Sequence, residues 1–207
     1  MGDSRRGRLP AAEREQRRQQ VLDAAFAELL DQGFAKVTML GIAERAGASK
    51  ETLYRWFGSR DGLFSAMIQA NADASAARVR AALDEPADPR QTLIGFASGL
   101  LRLLTGSRSV ALNRAAMESP ELARLLLESG RLRVGPLVEQ YLSHLRDEGV
   151  LAFDDAEEAF RLLYGLTISD AQIRVLLHDT PPTPDEIERR AAAAVDQFLV
   201  LLAPRAR

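Results

Sequence analysis

The chain contains no cysteine, which excludes disulfides, thiolate nucleophiles and cysteine-held metal sites. Histidine is almost as scarce. Only His144 and His178 occur, each near the end of an expected helix, where an imidazolium complements the backbone dipole. Long apolar runs are also missing: windows such as Leu93–Leu104 are too short for a membrane span, and this one carries Arg102. The arginine-rich N-terminus has no apolar stretch behind it, so no secretory leader is expected. No Gly-x-Ser-x-Gly, P-loop, His-Glu-x-x-His or dinucleotide fingerprint is present. Asp170 stands eight residues before His178, two turns along what reads as one helix and too far for a direct hydrogen bond. The acidic group Asp154, Asp155, Glu157 and Glu158 is accounted for by helix capping. These absences point away from an enzyme. The expectation is a cytoplasmic protein with no cofactor, no metal site and no membrane contact.

What remains is ample for folding. The chain has 207 residues, 46% apolar and 27% charged, enough to bury the core of one or two small domains. The net charge of −2 is unevenly spread: 11 Lys and Arg face 8 Asp and Glu through Arg60, against 16 and 21 beyond it. A local basic excess of this kind suits a partner of negative charge. Periodicity is helical throughout, without strand-type alternation. Residues 1–12 are polar and aperiodic and read as a flexible basic arm. A first helix is predicted over about Ala12–Asp31, with Val21, Leu22, Ala25, Phe26, Leu29 and Leu30 on one face and Gly33 as its αL cap. Short helices follow near 39–46 and 50–57, then a longer one from about Arg60 to Leu83, ended by Glu85-Pro-Ala-Asp-Pro89. Further helices are expected over 90–105, 108–117, from Pro120 toward Gly149 with a kink or break at Gly135-Pro136, from Asp154, and from Thr183. Asp154-Asp-Ala-Glu157 and Thr183-Pro-Asp-Glu186 have capping-box spacing. The sum is an all-α chain of about nine helices.

The most informative stretch runs from Val37 to Phe57 and reads as a helix-turn-helix. Thr38 is a suitable N-cap for a helix bearing Ile42 and Ala43, and Gly47 falls where a sharp turn needs positive φ. Ser49 can cap a second helix whose Leu53 and Phe57 share one face. Lys50, Glu51, Thr52, Tyr54, Arg55 and Trp56 are left for an outside partner, and DNA is the economical one. Packing is the competing role for Tyr54 and Trp56. Glu51 has two readings of equal weight: it accepts from a cytosine amine, or it pairs with Arg55 four residues on. Arg5, Arg6, Arg8, Arg14, Arg17 and Arg18 either reach a minor groove or flanking phosphates, or belong to a solubilising tail.

The residues from Gly33 to Phe64, with Ile42-Ala-Glu-Arg-Ala-Gly-Ala-Ser-Lys-Glu-Thr-Leu-Tyr-Arg-Trp-Phe-Gly-Ser-Arg-Asp-Gly-Leu-Phe at their centre, resemble the N-terminal domain of the TetR family of transcriptional regulators. Ser119-Pro-Glu-Leu-Ala, the Asp154–Leu166 segment and the last helix are weakly similar to the AefR-like branch. The resemblance implies an all-α homodimer that binds a pseudo-palindromic operator and releases it when a small molecule binds. It also implies that Lys50 and the next residue lie nearest the bases, and that Thr38, Ser49, Tyr54, Trp56 and Arg60 hold phosphates. Glu51 departs from the family, which often has a small residue there.

The remaining helices then carry sensing and pairing. An apolar cavity with few polar groups is expected among Phe96, Leu100, Asn113, Met117, Tyr141, Tyr164, Ile168 and Gln172. A four-helix dimer bundle is expected from Gly165 and Ser169 on one helix and Ala191, Ala194, Val195, Phe198 and Leu202 on the other. The domains read as arm 1–12, DNA-binding domain 13–62, and ligand-sensing and dimerisation domain 63–207. The expected function is a ligand-responsive regulator, by family default a repressor, with double-stranded operator DNA, a small-molecule effector and a second copy of the chain as partners. A constitutive DNA-binding regulator without a ligand is the alternative.

Overall fold

Val21, Leu22, Ala25, Phe26 and Leu29 recur at the spacing of one helix face, and all five are buried along α1 (Ala11–Gln32). The same logic repeats down the chain. This computed structural model describes residues 11–84, 88–129 and 131–204, and among them there are eleven helices and no strand. The expected basic arm, with Arg5, Arg6 and Arg8, lies outside the described residues except for Ala11 and Ala12, which α1 takes up. Among the described residues no helix is long and apolar enough to cross a membrane. The chain divides into two compact units between Met67 and Ile68.

The first unit contains α1, α2 (Met39–Ala46), α3 (Lys50–Phe57) and the opening turns of α4 (Arg60–Asp84). Its buried set includes Val21, Leu22, Phe26, Leu29, Met39, Ile42, Leu53, Phe57, Leu63, Phe64 and Met67. Phe34, in the α1–α2 connection, sets its ring edge-on to Phe64 at 4.9 Å. Ser59 caps α4, accepting from the Gly62 N–H at 3.0 Å. Gly62 is required there, because a Cβ would run into the Phe57 carbonyl.

The second unit contains the rest of α4, α5 (Pro89–Thr105), α6 (Ser107–Met117), α7 (Pro120–Ser129), α8 (Arg131–Asp147), α9 (Ala156–Ile168), α10 (Ala171–Leu176) and α11 (Pro184–Leu201). α11 lies against α5 and α9, α8 against α9, and α10 against α5 and α6. Their shared core includes Leu93, Phe96, Leu101, Val138, Leu142, Phe160, Leu163, Val195 and Phe198. Each large side chain fully withdrawn from water contributes about 1.5–3 kcal/mol. The rim pairs Arg90–Asp196 (2.7 Å) and Arg102–Glu188 also join α5 to α11. Both are exposed and contribute little.

Two expected helices are each divided. The stretch from Pro120 toward Gly149 is α7 and α8, and Pro136 sits inside α8 instead of breaking it. Pro136 is the sixth residue of that helix, past the four N-terminal donors that lack a helical partner, so α8 forgoes one backbone hydrogen bond there and continues. The second division separates α9 from α10. Ser169 ends α9 at φ 46°, which puts Asp170 and His178 on no common helix. Arg114 of α6 closes α10, donating to the Val175 carbonyl at 2.9 Å and the Leu176 carbonyl at 3.2 Å. Thr183 and Glu186 form the expected reciprocal cap. At α9 the cap is Asp155, which accepts from Glu157 and Glu158, rather than Asp154.

Candidate nucleic-acid interface

The helix-turn-helix is built by caps at each corner. Thr38 Oγ1 accepts from the Gly41 N–H at 3.0 Å and starts α2. Gly47 then takes φ 58°, the left-handed value that turns the chain toward α3 at little steric cost. Ser49 Oγ accepts from the Thr52 N–H at 3.1 Å and starts α3. The hydroxyls of Ser49 and Thr52 also meet at 2.9 Å. That contact uses one of their two protons, leaving the other for an outside acceptor.

Basic side chains from the framework hold this turn in place. Arg17 donates to the Gly47 carbonyl at 2.6 Å, from thirty residues away. Arg45 donates to Asp31 at 2.6 Å and to Glu28 at 2.9 Å, pinning α2 to α1. The hydrogen bond that Arg45 donates to the Asp31 carboxylate raises the Arg45 pKa above its ordinary value. The Arg18 guanidinium lies 5.5 Å from the Phe57 ring centroid. Arg17 and Arg18 are thus engaged within the fold rather than extended as part of a tail. Sequence reasoning missed the roles of Arg17 and Arg45, since pairings so far apart in the chain leave no periodic signal.

α3 has two faces. Leu53 is fully buried and Phe57 nearly so, which anchors the helix. Lys50, Glu51, Tyr54 and Arg55 are exposed on the other side, Tyr54 by 45%. Thr52 and Trp56 are half-buried, with the indole edge-on to Phe57 at 6.3 Å. The Lys50 ammonium stands 5.8 Å from the Tyr54 ring centroid. Glu51 and Arg55, although four apart, form no ion pair among the described residues. The flank therefore offers ammonium, guanidinium and phenol donors, together with one carboxylate acceptor. Thr38 and Ser49 lie exposed at the two caps, their oxygens already accepting from backbone N–H groups. Arg60 is turned inward: it donates to the Phe34 carbonyl and stacks 4.2 Å from the Phe34 ring centroid. A phosphate would have to draw it away from that seat.

The second unit places the remaining candidates differently from one another. Phe96 and Ile168 are buried in the core, with Leu100, Tyr141 and Tyr164 packed against it. Asn113 and Gln172 are half-buried outside that cluster, and the Asn113 amide donates to the Ser109 carbonyl at 2.8 Å. Met117 is corrected: it ends α6 with 68% of its surface exposed and lines no interior. Four of the expected pairing residues are corrected too. Ala191, Ala194, Val195 and Phe198 are buried, and their side chains serve the chain's own core. α11 has one continuous apolar stripe, and α5 and α9 take it. Gly165 and Ser169 stay exposed and Leu202 is half-buried. Outward on α11 stand Arg189, Ala193, Gln197 and Val200, the last 76% exposed.

Comparison with known proteins agrees with both units. Residues 21–67 match the model described as bacterial regulatory proteins, tetR family, and residues 91–203 match that described as AefR-like transcriptional repressor, C-terminal domain. The HTH-type transcriptional activator FasR of Mycolicibacterium smegmatis is 43% identical over 93 residues, 44% of this chain and 41% of that one, so the match spans well under half of that relative's length. A TetR transcriptional regulator from Agrobacterium tumefaciens is 39% identical with TM-score 0.72, covering 89% of this chain and 94% of the other. The flavonoid-responsive regulator FrrA is 32% identical with TM-score 0.70, covering 93% of this chain and all of the other (100%).

Proposed function

This chain belongs to the TetR family of bacterial regulatory proteins, and on that premise we propose a ligand-responsive cytoplasmic repressor that binds an inverted-repeat operator as a homodimer. One observation carries the reading: α3 is anchored by Leu53 and Phe57 and turns Lys50, Tyr54 and Arg55 to solvent. A helix so seated lays its donors into a major groove, with Lys50 nearest the base edges. Thr38, Ser49, Tyr54 and Trp56 supply phosphate contacts, and Arg60 joins them on leaving Phe34.

An eight-residue reading helix covers few base pairs, so two copies are required for operator-level discrimination. The outward faces of α9 and α11, with Arg161, Gly165, Ala193, Gln197 and Val200, are the pairing surface. Gly165 and Ala193 permit close approach of two backbones. The effector is an apolar molecule with few polar groups, taken up by the second unit beside Phe96, Leu100, Tyr141 and Tyr164. FrrA, responsive to flavonoids, is a relative of that behaviour. α4 contributes residues to both units and transmits the signal. Half-site centres must lie one helical turn apart, about 34–36 Å, so a small pivot of the heads releases DNA. The likeness to FasR, named an activator, favours activation as the second reading of sign.

Selection of bound duplexes from a random pool tests the proposal. An inverted repeat is expected, with half-sites about one turn apart. Failure to retain any duplex at low salt overturns it. Promoter fusions carrying the selected site then distinguish repression from activation.

A further inference from the structure

The sequence of α3 contains an acid where a DNA-facing helix has least use for one. Glu51 is the second residue of α3, fully on the exposed flank, between Lys50 and the Ser49–Thr52 cap. Its obvious local partner is Arg55, one turn further on, yet the two are not paired among the described residues. Lys50 turns to the Tyr54 ring, and the cap N–H of Thr52 is taken by Ser49. Among the described residues no hydrogen bond or ion pair engages the carboxylate, which stands in the first turn of α3.

An ionised carboxylate only accepts hydrogen bonds, and duplex phosphates repel it. Facing DNA it weakens binding to every sequence unless it meets a donor. The major groove offers two such donors, the amines of cytosine N4 and adenine N6. Beside its amine, adenine carries the N7 acceptor, which repels a carboxylate; cytosine carries only C5–H. The first turn of a reading helix is also the part that reaches base edges.

From these observations we propose that Glu51 is a specificity-determining residue that selects a cytosine in each half-site and penalises duplexes lacking one there. This rests on the operator-binding function above. The guanine paired with that cytosine presents O6 and N7 to the exposed Lys50 and Arg55.

The test compares duplexes selected from a random pool by the wild-type chain, Glu51→Ala and Glu51→Gln, with thermal unfolding to confirm that each is folded. The wild type is expected to favour cytosine over thymine by about 5-fold or more at one position per half-site. Glu51→Ala should lose that preference and bind unrelated duplex more tightly. Glu51→Gln should move the preference toward adenine, because an amide matches its N6 and N7 together. An unchanged preferred sequence in both variants overturns the assignment and leaves Glu51 a partner of the helix dipole, with the operator-binding reading intact. Tighter binding to all duplexes without any change in base preference overturns it equally. Retention of no duplex by the wild type sinks both readings. Should Glu51→Ala not fold, the near-isosteric Glu51→Gln decides the matter alone.

Discussion

Replacing Phe198 by alanine asks whether α11 spends its apolar stripe inside one chain or between two. Phe198 is fully buried in the core shared by α5, α9 and α11. Removing its ring forfeits the transfer free energy of the buried carbons and leaves a cavity, together about 3–5 kcal/mol for a phenylalanine. For a chain of this size that is a fall in Tm of about 6–20 °C. Val200, two residues on and 76% exposed, is the internal control. Val200→Ala should change protomer stability by less than about 0.5 kcal/mol. The assay is denaturant unfolding followed by circular dichroism at two protein concentrations about a hundredfold apart. The loss for Phe198→Ala should be of the same size at both. The reasoning is refuted if Phe198→Ala leaves a well-folded monomer of native helical content and merely abolishes association, since the ring would then belong to the partner interface.

Lys50→Ala should relax base preference at one position per half-site and cost about 1–3 kcal/mol there, read by competition between selected and mutated duplexes. Tyr54→Phe removes a phosphate donor and should weaken all duplexes about equally; altered base preference would assign the phenol to a base instead. Arg17→Ala releases the Gly47 carbonyl, so operator affinity should fall severalfold while the slope of log affinity against log salt stays nearly unchanged. A slope smaller by about one would mean that Arg17 holds a phosphate directly.

The reading helix was legible from local rules alone. Ser49 as cap, Gly47 at positive φ, and Leu53 with Phe57 four apart each state their geometry within a few residues. The capping box at Thr183 was legible for the same reason. The division at Ser169 was not, because helical periodicity continues on both sides of a residue with φ 46°. The fate of the α11 stripe was equally hidden. A run of Ala191, Ala194, Val195 and Phe198 looks the same whether a neighbouring helix of the same chain or of a second copy covers it.

The amino-acid order by itself determined an all-helical chain, the position of the helix-turn-helix and the face that α3 buries, because caps, turns and amphipathic spacing act over a few residues. Tertiary structure alone decided which apolar faces became core, that Arg17 and Arg45 brace the turn, that Arg60 lies against Phe34, and that Glu51 and Arg55 form no ion pair among the described residues. Those outcomes depend on which distant segments meet, and competition among partners for one surface is settled only when the whole chain packs.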